Sequence, residues 1–397
     1  MSNQHRGNAE EWGQIGERLR FFPFPCQKGS ITLTIDCREY GWEQFASPEL
    51  REGSREDIPA RVTAVYRERY AIVSPHGEGF ARLKRINFPD KPGQSFPTVG
   101  DFVEYWHNPW GDSLITRLLP RKSAFCRRDP SPGRAEQMVA ANFETVFVLT
   151  SLNHDLNFPR LERYLTAGWQ SGGVPVILLT KADLVEEKAG RSLLEQVRRF
   201  AVGVEVYAVS ALTGQGMEQL APFLEPGRTA VLLGSSGVGK SSLVNALLGR
   251  EEMAVQEVRE ADSRGRHTTT HRQMLQLPGG ALLIDTPGMR VLGMWDVSEG
   301  LDQTFADVEA YLGRCRFADC SHRQEPGCAV REAVERGELS RERWENYLRL
   351  KREARYSQRK QQRQQHKQER EAERNGSRYS KKQRHRADGD ALDDRWS

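Results

Sequence analysis

The sequence has no long apolar run. No segment of the 397 residues reaches the ~18–20 consecutive apolar residues that a membrane-spanning helix requires. The beginning, MSNQHRGNAEEWGQ, is polar and lacks the apolar centre of a signal peptide. These absences exclude membrane insertion at the level of sequence, and we expect a cytoplasmic protein.

Cysteine is also scarce, and its distribution is uneven. Cys315, Cys320 and Cys328 fall within fourteen residues, with His322 among them. In a cytosolic chain this pattern favours a metal site over disulfides. Three thiolates and one imidazole suit a closed, structural Zn²⁺ site with no open position for catalysis. The remaining cysteines are expected to be ordinary thiols: Cys26, Cys37 and Cys126.

The charge is concentrated at one end. The net charge is +4, but residues 341–386 hold seventeen Lys/Arg against six Asp/Glu, a balance of +11 that leaves −7 for the rest. A basic tail on a mildly acidic body indicates contact with a polyanion. The alternative is a solvated tail without a dedicated site.

Residues 58–120 contain short, alternating β-rich runs separated by Gly and Pro. Five such strands predict a small barrel and fit an OB-fold, which commonly binds oligonucleotides. The alternative is a barrel that serves only as a scaffold. The five runs are ARVTAVY, RYAIVSP, EGFARLK, DFVEYWH and SLITRLL.

After the barrel, continuous apolar strands such as TVFVLTS and VPVILLT alternate with helical spacing, which predicts a parallel α/β sheet covered on both faces. Helical character then surrounds the cysteine cluster, and the remainder is rich in Gln, Arg and Lys, which is typical of disorder. The predicted organisation is an extension (1–57), an OB-fold barrel (58–120), a linker (121–134), a nucleotide-binding domain (135–297), a mostly helical zinc-binding domain (298–350) and a basic tail (351–397).

The sequence GSSGVGKSS follows an apolar strand and precedes a helix. It matches G-x-x-x-x-G-K-[ST], the loop whose backbone N–H groups surround nucleotide phosphates. We expect Lys240 to reach the β- and γ-phosphates and Ser241 to bind Mg²⁺. The predicted phosphate-binding residues are Gly234, Ser235, Ser236, Gly237, Val238, Gly239, Lys240, Ser241 and Ser242.

Two short sequences upstream resemble guanine-reading loops. In TKAD, Asp183 is expected to accept hydrogen bonds from guanine, Lys181 to pack over the base, and Thr180 to tether the loop with its hydroxyl. VSAL, about 27 residues later, matches the Ser-Ala loop that closes over the guanine oxygen. The predicted base-site residues are Thr180, Lys181, Ala182, Asp183, Ser210 and Ala211.

Two segments downstream of the phosphate loop suit the γ-phosphate side. LLIDTPG places Asp285 at a strand end, near Mg²⁺, and Gly288 three residues later. GRHTTTHRQ carries Thr269 and Thr270, hydroxyls for Mg²⁺ in the triphosphate state. Met289 stands where Ras-like GTPases have a water-orienting Gln, so slow intrinsic turnover is expected. The predicted catalytic residues are Lys240, Asp285, Gly288 and His267, the last as a water-positioning candidate or else a solvated loop or partner-contact histidine.

In this sequence the predicted base-reading loops precede the phosphate loop, which is the order of a circularly permuted GTPase domain. Such a permutation is possible because cutting the chain at a surface connection leaves the sheet and the site intact. The permutation makes the chain leave this domain soon after its γ-phosphate sensor and enter the cysteine cluster. We therefore hypothesise that switch movement reaches residues 298–350.

Together, GSSGVGKSS, GRHTTT, DTPG and the Cys-x4-Cys-x-His-x5-Cys pattern, in this order after a five-stranded barrel, resemble the bacterial ribosome small-subunit-dependent GTPase A family (RsgA, also called YjeQ or YloQ). The resemblance covers roughly residues 58–350. It implies an OB-fold, a permuted GTPase domain and a zinc domain. It also implies binding of GTP or GDP with Mg²⁺ and one structural Zn²⁺, and a hydrophobic residue in place of the catalytic Gln.

The resemblance further implies binding to the 30S subunit and its 16S rRNA near the decoding region, subunit-stimulated GTP hydrolysis, and a role in late 30S maturation that includes release of assembly factors. We expect a monomer away from the ribosome. Thr180, in place of the commoner Asn, is a departure that could soften guanine selectivity. Two alternatives stay open: an RNA-binding assembly module in which hydrolysis is incidental, and an ATPase.

Overall fold

The computed structural model describes seven continuous stretches and a few further positions in the tail. These are residues 39–45, 59–88, 95–127, 137–153, 156–252, 273–285 and 298–356, with 358, 359, 362, 363, 366 and 370. None of the helices in this part of the chain has the length and apolar character that crossing a membrane requires.

The first five strands form the barrel that the sequence predicts. They are β1 (Ala60–Val65), β2 (Tyr70–Ser74), β3 (Gly77–Leu83), β4 (Phe102–Trp106) and β5 (Ser113–Leu118). They pair in the order β1-β2-β3-β5-β4 and close through β1–β4, with only the β3–β5 pair parallel. This is the topology of an OB-fold. Alternating apolar residues fill its interior: Ala60, Val62, Ile72, Ala81, Phe88, Val103 and Ile115.

A short hairpin joins the barrel to the next domain. Its strands are β6 (Ala124–Arg127) and β7 (Gln137–Ala141). The stretch predicted as a linker, 121–134, thus includes a strand as well as residues outside the described ranges. The Pro/Gly-rich composition that suggests a linker lies between the two strands of this hairpin.

The central domain is built on a six-stranded sheet. Its strands are β8 (Thr145–Ser151), β9 (Val174–Thr180), β10 (Glu205–Ala208), β11 (Thr229–Gly234), β12 (Gln273–Gln276) and β13 (Leu282–Asp285). They lie in the order β10-β9-β8-β11-β13-β12, and all neighbours are parallel except β12 and β13.

Both faces of this sheet are covered, which explains its continuous apolar strands. In β8, Val146 and Val148 belong to one buried cluster, whereas Phe147 and Leu149 belong to another. The first cluster includes residues of α2 (Phe158–Gln170) and α3 (Glu187–Phe200), and the second includes residues of α4 (Lys240–Leu248). A short helix α1 (Trp42–Phe45) lies before the barrel, and Phe45 packs against Phe102.

A buried arginine holds the barrel against its neighbours. Arg61, on β1, is only 1% exposed. Its guanidinium donates to the carbonyls of Tyr40 (2.5 Å), Asn142 (2.7 Å) and Gly100 (3.3 Å) and lies over the Phe102 ring. Burial lowers the pKa of Arg61 to about 10, so it remains a cation at neutral pH. One side chain therefore joins the segment before the barrel, the barrel itself and the central domain.

The C-terminal region is helical, as expected. It contains α5 (Ser298–Thr304), α6 (Ala306–Glu309), α7 (Ala329–Glu335) and α8 (341–356). It is docked on α2: a Cβ on Gly300 would lie 2.3 Å from the Thr166 carbonyl oxygen, so the two helices meet too closely for any side chain. The Gly300 N–H also donates to the Gln170 side chain.

A buried ion-pair network completes this junction. Arg343 on α8 donates to Glu162 of α2 (2.9 Å), to both carboxylate oxygens of Asp307 (2.9 and 3.0 Å) and to the Thr304 carbonyl (2.7 Å). Arg343 is 7% exposed and Glu162 is fully buried. Because burial outweighs the attraction of Arg343, the pKa of Glu162 is raised to about 7. Removing the cation would leave two carboxylates close together.

We predict that Arg343→Met destabilises the docked helical region by about 3 kcal/mol, since breaking a buried pair strands its partner charges. Hydrogen exchange of α8 amides measures this local opening. Glu162→Gln is the matched control: it preserves the pairing of Arg343 with Asp307 and removes a carboxylate that is costly to bury. An equal loss in both variants would contradict the prediction.

Candidate nucleotide and metal sites

The phosphate loop connects β11 to α4. Its conformation requires glycine, because Gly237 and Gly239 have φ of 74° and 101°. At Gly234 a Cβ would lie 2.8 Å from the Leu149 carbonyl oxygen, so only glycine lets the loop begin this close to β8. Lys240 begins α4, and its ammonium donates to the carbonyls of Gly234 (2.7 Å) and Ser235 (2.5 Å). The lysine thus lies along a loop that precedes a helix N-terminus, an arrangement suited to phosphates.

The loop after β9 is tied directly to the phosphate loop. The buried Thr180 hydroxyl donates to the Val238 carbonyl at 2.6 Å. Lys181 then adopts a left-handed conformation (φ 58°) and leads into a short 3-10 helix, Ala182–Leu184. The substitution of Thr for Asn therefore keeps a hydrogen bond between the two loops.

The second base-loop candidate lies beside the first. The Ser210 hydroxyl donates to Asp183 at 2.5 Å, and the Ala182 N–H donates to the Val209 carbonyl at 3.2 Å. The turn that follows depends on Gly216, where φ is 72° and a Cβ would lie 2.2 Å from the Ala208 carbonyl oxygen. Gly216 is not among the predicted site residues, although the G-x-G that follows VSAL indicates a turn at this place.

The loop after β9, the phosphate loop and Asp285 all lie at the carboxyl ends of three parallel strands. β9 ends at Thr180, β11 at Gly234 and β13 at the buried Asp285. Open α/β sheets bind ligands at this edge. The other γ-phosphate-side candidates lie outside the described residues: His267, Thr269, Thr270, Gly288 and Met289.

The four predicted metal ligands come together in the C-terminal region. The Sγ atoms of Cys315, Cys320 and Cys328 and the His322 imidazole all lie within 4.8 Å of one another. His322 reaches the cluster from a left-handed backbone conformation, φ 60°. Its ring stands edge-on to Trp344 of α8. Cys328 is buried in the apolar core formed by α5, α7 and α8, so the cluster is attached to the helical core.

The spacing of these atoms fits Zn²⁺. Tetrahedral zinc with Zn–S near 2.3 Å and Zn–N near 2.0–2.1 Å separates two sulfurs by about 3.8 Å, and sulfur from nitrogen by about 3.6 Å. The Cys315 and Cys328 sulfurs are 4.0 Å apart, and they lie 3.4 and 3.6 Å from His322 Nδ1. Burial lowers the pKa of His322, which favours the neutral imidazole that binds metal.

A carboxylate organises the loop between two of the ligands. Glu325 accepts hydrogen bonds from the Ser321 hydroxyl and from the backbone N–H groups of Ser321, Arg323 and Gln324. These bonds, that of the Ser321 hydroxyl first, hold the pKa of Glu325 well below its usual range. Glu325 is not among the predicted site residues, because its position before Pro326-Gly327 indicates only a turn.

The arrangement of the sheet, its loops and the Cys₃His cluster defines the class of protein. A phosphate-loop strand lies at the centre of a sheet whose predicted base-reading loops come earlier in the chain, and the chain also contains a barrel and a Cys₃His cluster. Such an architecture is a circularly permuted P-loop GTPase. The RsgA GTPase family model matches residues 118–295.

Known relatives identify the family. The chain is 49% identical over 300 residues to "Small ribosomal subunit biogenesis GTPase RsgA 1" of Listeria monocytogenes serovar 1/2a, which covers 76% of this chain and 84% of the relative. It is 44% identical over 317 residues to the RsgA of Streptomyces avermitilis, covering 79% and 84%. The chain therefore belongs to the RsgA GTPase family and is a GTP hydrolase, as the sequence predicts.

Solved structures agree with this assignment. The crystal structure of YjeQ from Thermotoga maritima matches with a TM-score of 0.57 and 26% identity, covering 74% of this chain and 96% of that one. The structure of YloQ, described as a circularly permuted GTPase, shares the fold with a TM-score of 0.53, 23% identity and coverage of 75% and 96%. The predicted fold class is confirmed.

We predict that Thr180→Val weakens binding of both GDP and GTP by about 1–2 kcal/mol, roughly 5–30-fold in Kd, because the buried Val238 carbonyl loses its donor. Fluorescent-nucleotide titration measures the change. Thr180→Ser keeps the hydroxyl and should bind within about twofold of the unchanged protein. Equal weakening in both variants would contradict the prediction, because Ser retains the hydroxyl that bonds the Val238 carbonyl and Val does not.

We also predict that Cys320→Ser lowers bound zinc well below one ion per chain, because a structural tetrahedral site needs all four ligands. Elemental analysis of the purified protein gives the stoichiometry. Cys126→Ser is the matched control, since Cys126 lies on β6, apart from the cluster. Full zinc occupancy in Cys320→Ser would contradict the assignment.

Proposed function

We propose that this GTPase binds the small ribosomal subunit and hydrolyses GTP in a subunit-stimulated way during late maturation of that subunit. The observation that carries the proposal is the 49% identity to a relative named a small ribosomal subunit biogenesis GTPase. We expect the protein to act in the cytoplasm and to be a monomer away from the ribosome.

The nucleotide roles follow from the site. Asp183 accepts hydrogen bonds from guanine N1–H and the 2-amino group, Lys181 packs over the base, and the Ser210-Ala211 turn closes over the guanine oxygen. The N–H groups of residues 235–239 surround the phosphates, and Lys240 neutralises their charge. Because Ser210 already holds Asp183 in place, the carboxylate needs little reorganisation to read guanine.

The γ-phosphate side requires Mg²⁺, which Ser241 would hold directly and Asp285 through water. Thr269, Thr270 and Gly288 remain predicted contacts of the triphosphate state, and His267 remains the candidate that positions water. Met289 cannot orient water, so rapid turnover requires a contribution from the bound subunit. The zinc held by Cys315, Cys320, His322 and Cys328 is structural in this proposal.

The outer face of the barrel suits 16S rRNA. Phe80 is exposed beneath the Arg69 guanidinium at 4.0 Å, and Trp106, 57% exposed, lies beneath the Lys84 ammonium at 3.7 Å. Trp110, in the β4–β5 loop, is 94% exposed. Exposed aromatic rings paired with cations can stack on unpaired bases while neutralising phosphates. The basic tail would add phosphate contacts that weaken as salt rises.

The test is phosphate release from GTP by the full chain, alone and with purified 30S subunits, with ATP as the control nucleotide. We expect subunits to raise the GTP rate at least about tenfold, or about 1.4 kcal/mol of barrier, and to leave ATP unhydrolysed. Lys240→Ala should abolish the stimulated rate without preventing subunit binding. Subunit binding without stimulation would favour an RNA-binding module in which hydrolysis is incidental, and equal use of ATP would reject guanine selectivity.

A further inference from the structure

The barrel and the γ-phosphate side of the nucleotide site share one continuous sheet. Strand β12 pairs with β13 on one side and with β1 of the barrel on the other. Three residues consequently lie in one row across three strands: Ala64 of the barrel, Gln273 and Asp285. Asp285 is the Mg²⁺-side carboxylate of the proposed site, and Gln273 is the last residue of the predicted Thr loop GRHTTTHRQ, three residues after Thr270.

Side chains reinforce this pairing. Val73 and Val99 of the barrel region belong to the same buried apolar cluster as Met274 of β12 and Ile284 of β13. A Cβ on Gly100 would lie 3.1 Å from Ile284 Cδ1, which shows how closely the barrel approaches the residue before Asp285.

The same part of the barrel is also held against the end of β7 and the residue that follows it. A Cβ on Gly100 would also lie 1.9 Å from the Ala141 carbonyl oxygen, and the Ala141 N–H donates to the Val99 carbonyl at 2.9 Å. The Arg61 hydrogen bonds described above connect the same region to Asn142 and Tyr40. Close-packed contacts of this kind transmit displacement because they have little slack.

We propose that the barrel is a positioning element for the β12–β13 hairpin, and that a ligand on the barrel accelerates GTP hydrolysis by this route. This inference rests on the proposed stimulation of GTP hydrolysis by the small subunit. It names the structural contacts through which subunit binding would reach the nucleotide site. The ligand is RNA on the aromatic and basic outer face of the barrel. The helical region, by contrast, is docked on α2 through Gly300 and Arg343, so the pathway differs from the one the permuted chain order suggested.

The test compares two Val→Ala variants with the same loss of side chain. Val99→Ala loosens the barrel against the hairpin, whereas Val103→Ala removes the same atoms from the barrel interior; both valines are completely buried. GTP turnover is measured with and without saturating 30S subunits, and subunit affinity is measured separately. We expect Val99→Ala to lower the stimulated rate at least about fivefold, with unstimulated rate and subunit affinity within about twofold of the unchanged protein.

Val103→Ala should retain stimulation. An equal loss of stimulation in both variants would overturn the pathway, because it indicates general loosening of the barrel. Full stimulation in Val99→Ala would also overturn it, because stimulation would then not depend on the contact between barrel and hairpin. If either variant fails to fold, the hydrogen-exchange comparison described next, which uses the unchanged protein, decides the coupling instead.

A second measurement separates this inference from the proposed function. If the unchanged protein shows no stimulation by subunits, the proposed function fails, and coupling is then decided without subunits. Hydrogen exchange is compared between the GDP-bound and GTP-analogue-bound protein. A nucleotide-dependent change in residues 60–65 of β1, with none in 113–118 of β5, supports the coupling. An unchanged β1 overturns it.

Discussion

The parallel pairing of β11 between β8 and β13 is the constraint on which the site depends. Hydrogen bonds between strands are indifferent to the order in which the chain visits them, so the base loop can precede the phosphate loop without moving either. The pairing puts the ends of β9, β11 and β13 at one edge of the sheet. The Thr180 hydroxyl then fixes the base loop to the phosphate loop across that edge.

The barrel and the C-terminal helical region pack against the central domain at different places. A buried arginine contributes to each contact. Arg61 is held by backbone carbonyls, and the unfavourable burial of its charge appears as a lowered pKa. Arg343 is held by two carboxylates, and in this pair burial instead raises the pKa of Glu162. Both arginines form several hydrogen bonds to different elements, which fixes relative orientation more firmly than apolar contact alone would.

The contacts of the central domain with the barrel and with the helical region show what the permuted chain order achieves. The chain passes from the phosphate loop through the β12–β13 hairpin and then into the helical region that carries the Cys₃His cluster. The hairpin therefore lies between the proposed nucleotide site, the barrel and the connection to the helical region. A GTPase without the usual water-orienting Gln depends on such surroundings, because the missing contribution must come from groups that a bound partner can move.

Much of this protein could be read from local sequence. The alternating runs of the barrel, the glycines of GSSGVGKSS and the Cys-x4-Cys-x-His-x5-Cys spacing each encode a local geometry, since periodicity, φ preference and ligand type act over a few residues. The predictions for the base loops TKAD and VSAL rest on local pattern in the same way. The structure brings Asp183 and Ser210 into contact because their strands are parallel neighbours, as continuous apolar strands suggested.

What the sequence could not determine is where separate elements meet. Arg61 appeared as one cation in an alternating strand, Arg343 as one of many in a basic helix, and Glu325 as part of a turn. The pairing of Ala64 with Gln273, across more than two hundred residues, left no trace in either segment. Such contacts depend on how whole sheets and helices pack, which is set by the summed shape of many side chains. Local pattern thus determined the elements and the residue types of the proposed site, whereas only tertiary packing decided which barrel strand lies against the β12–β13 hairpin.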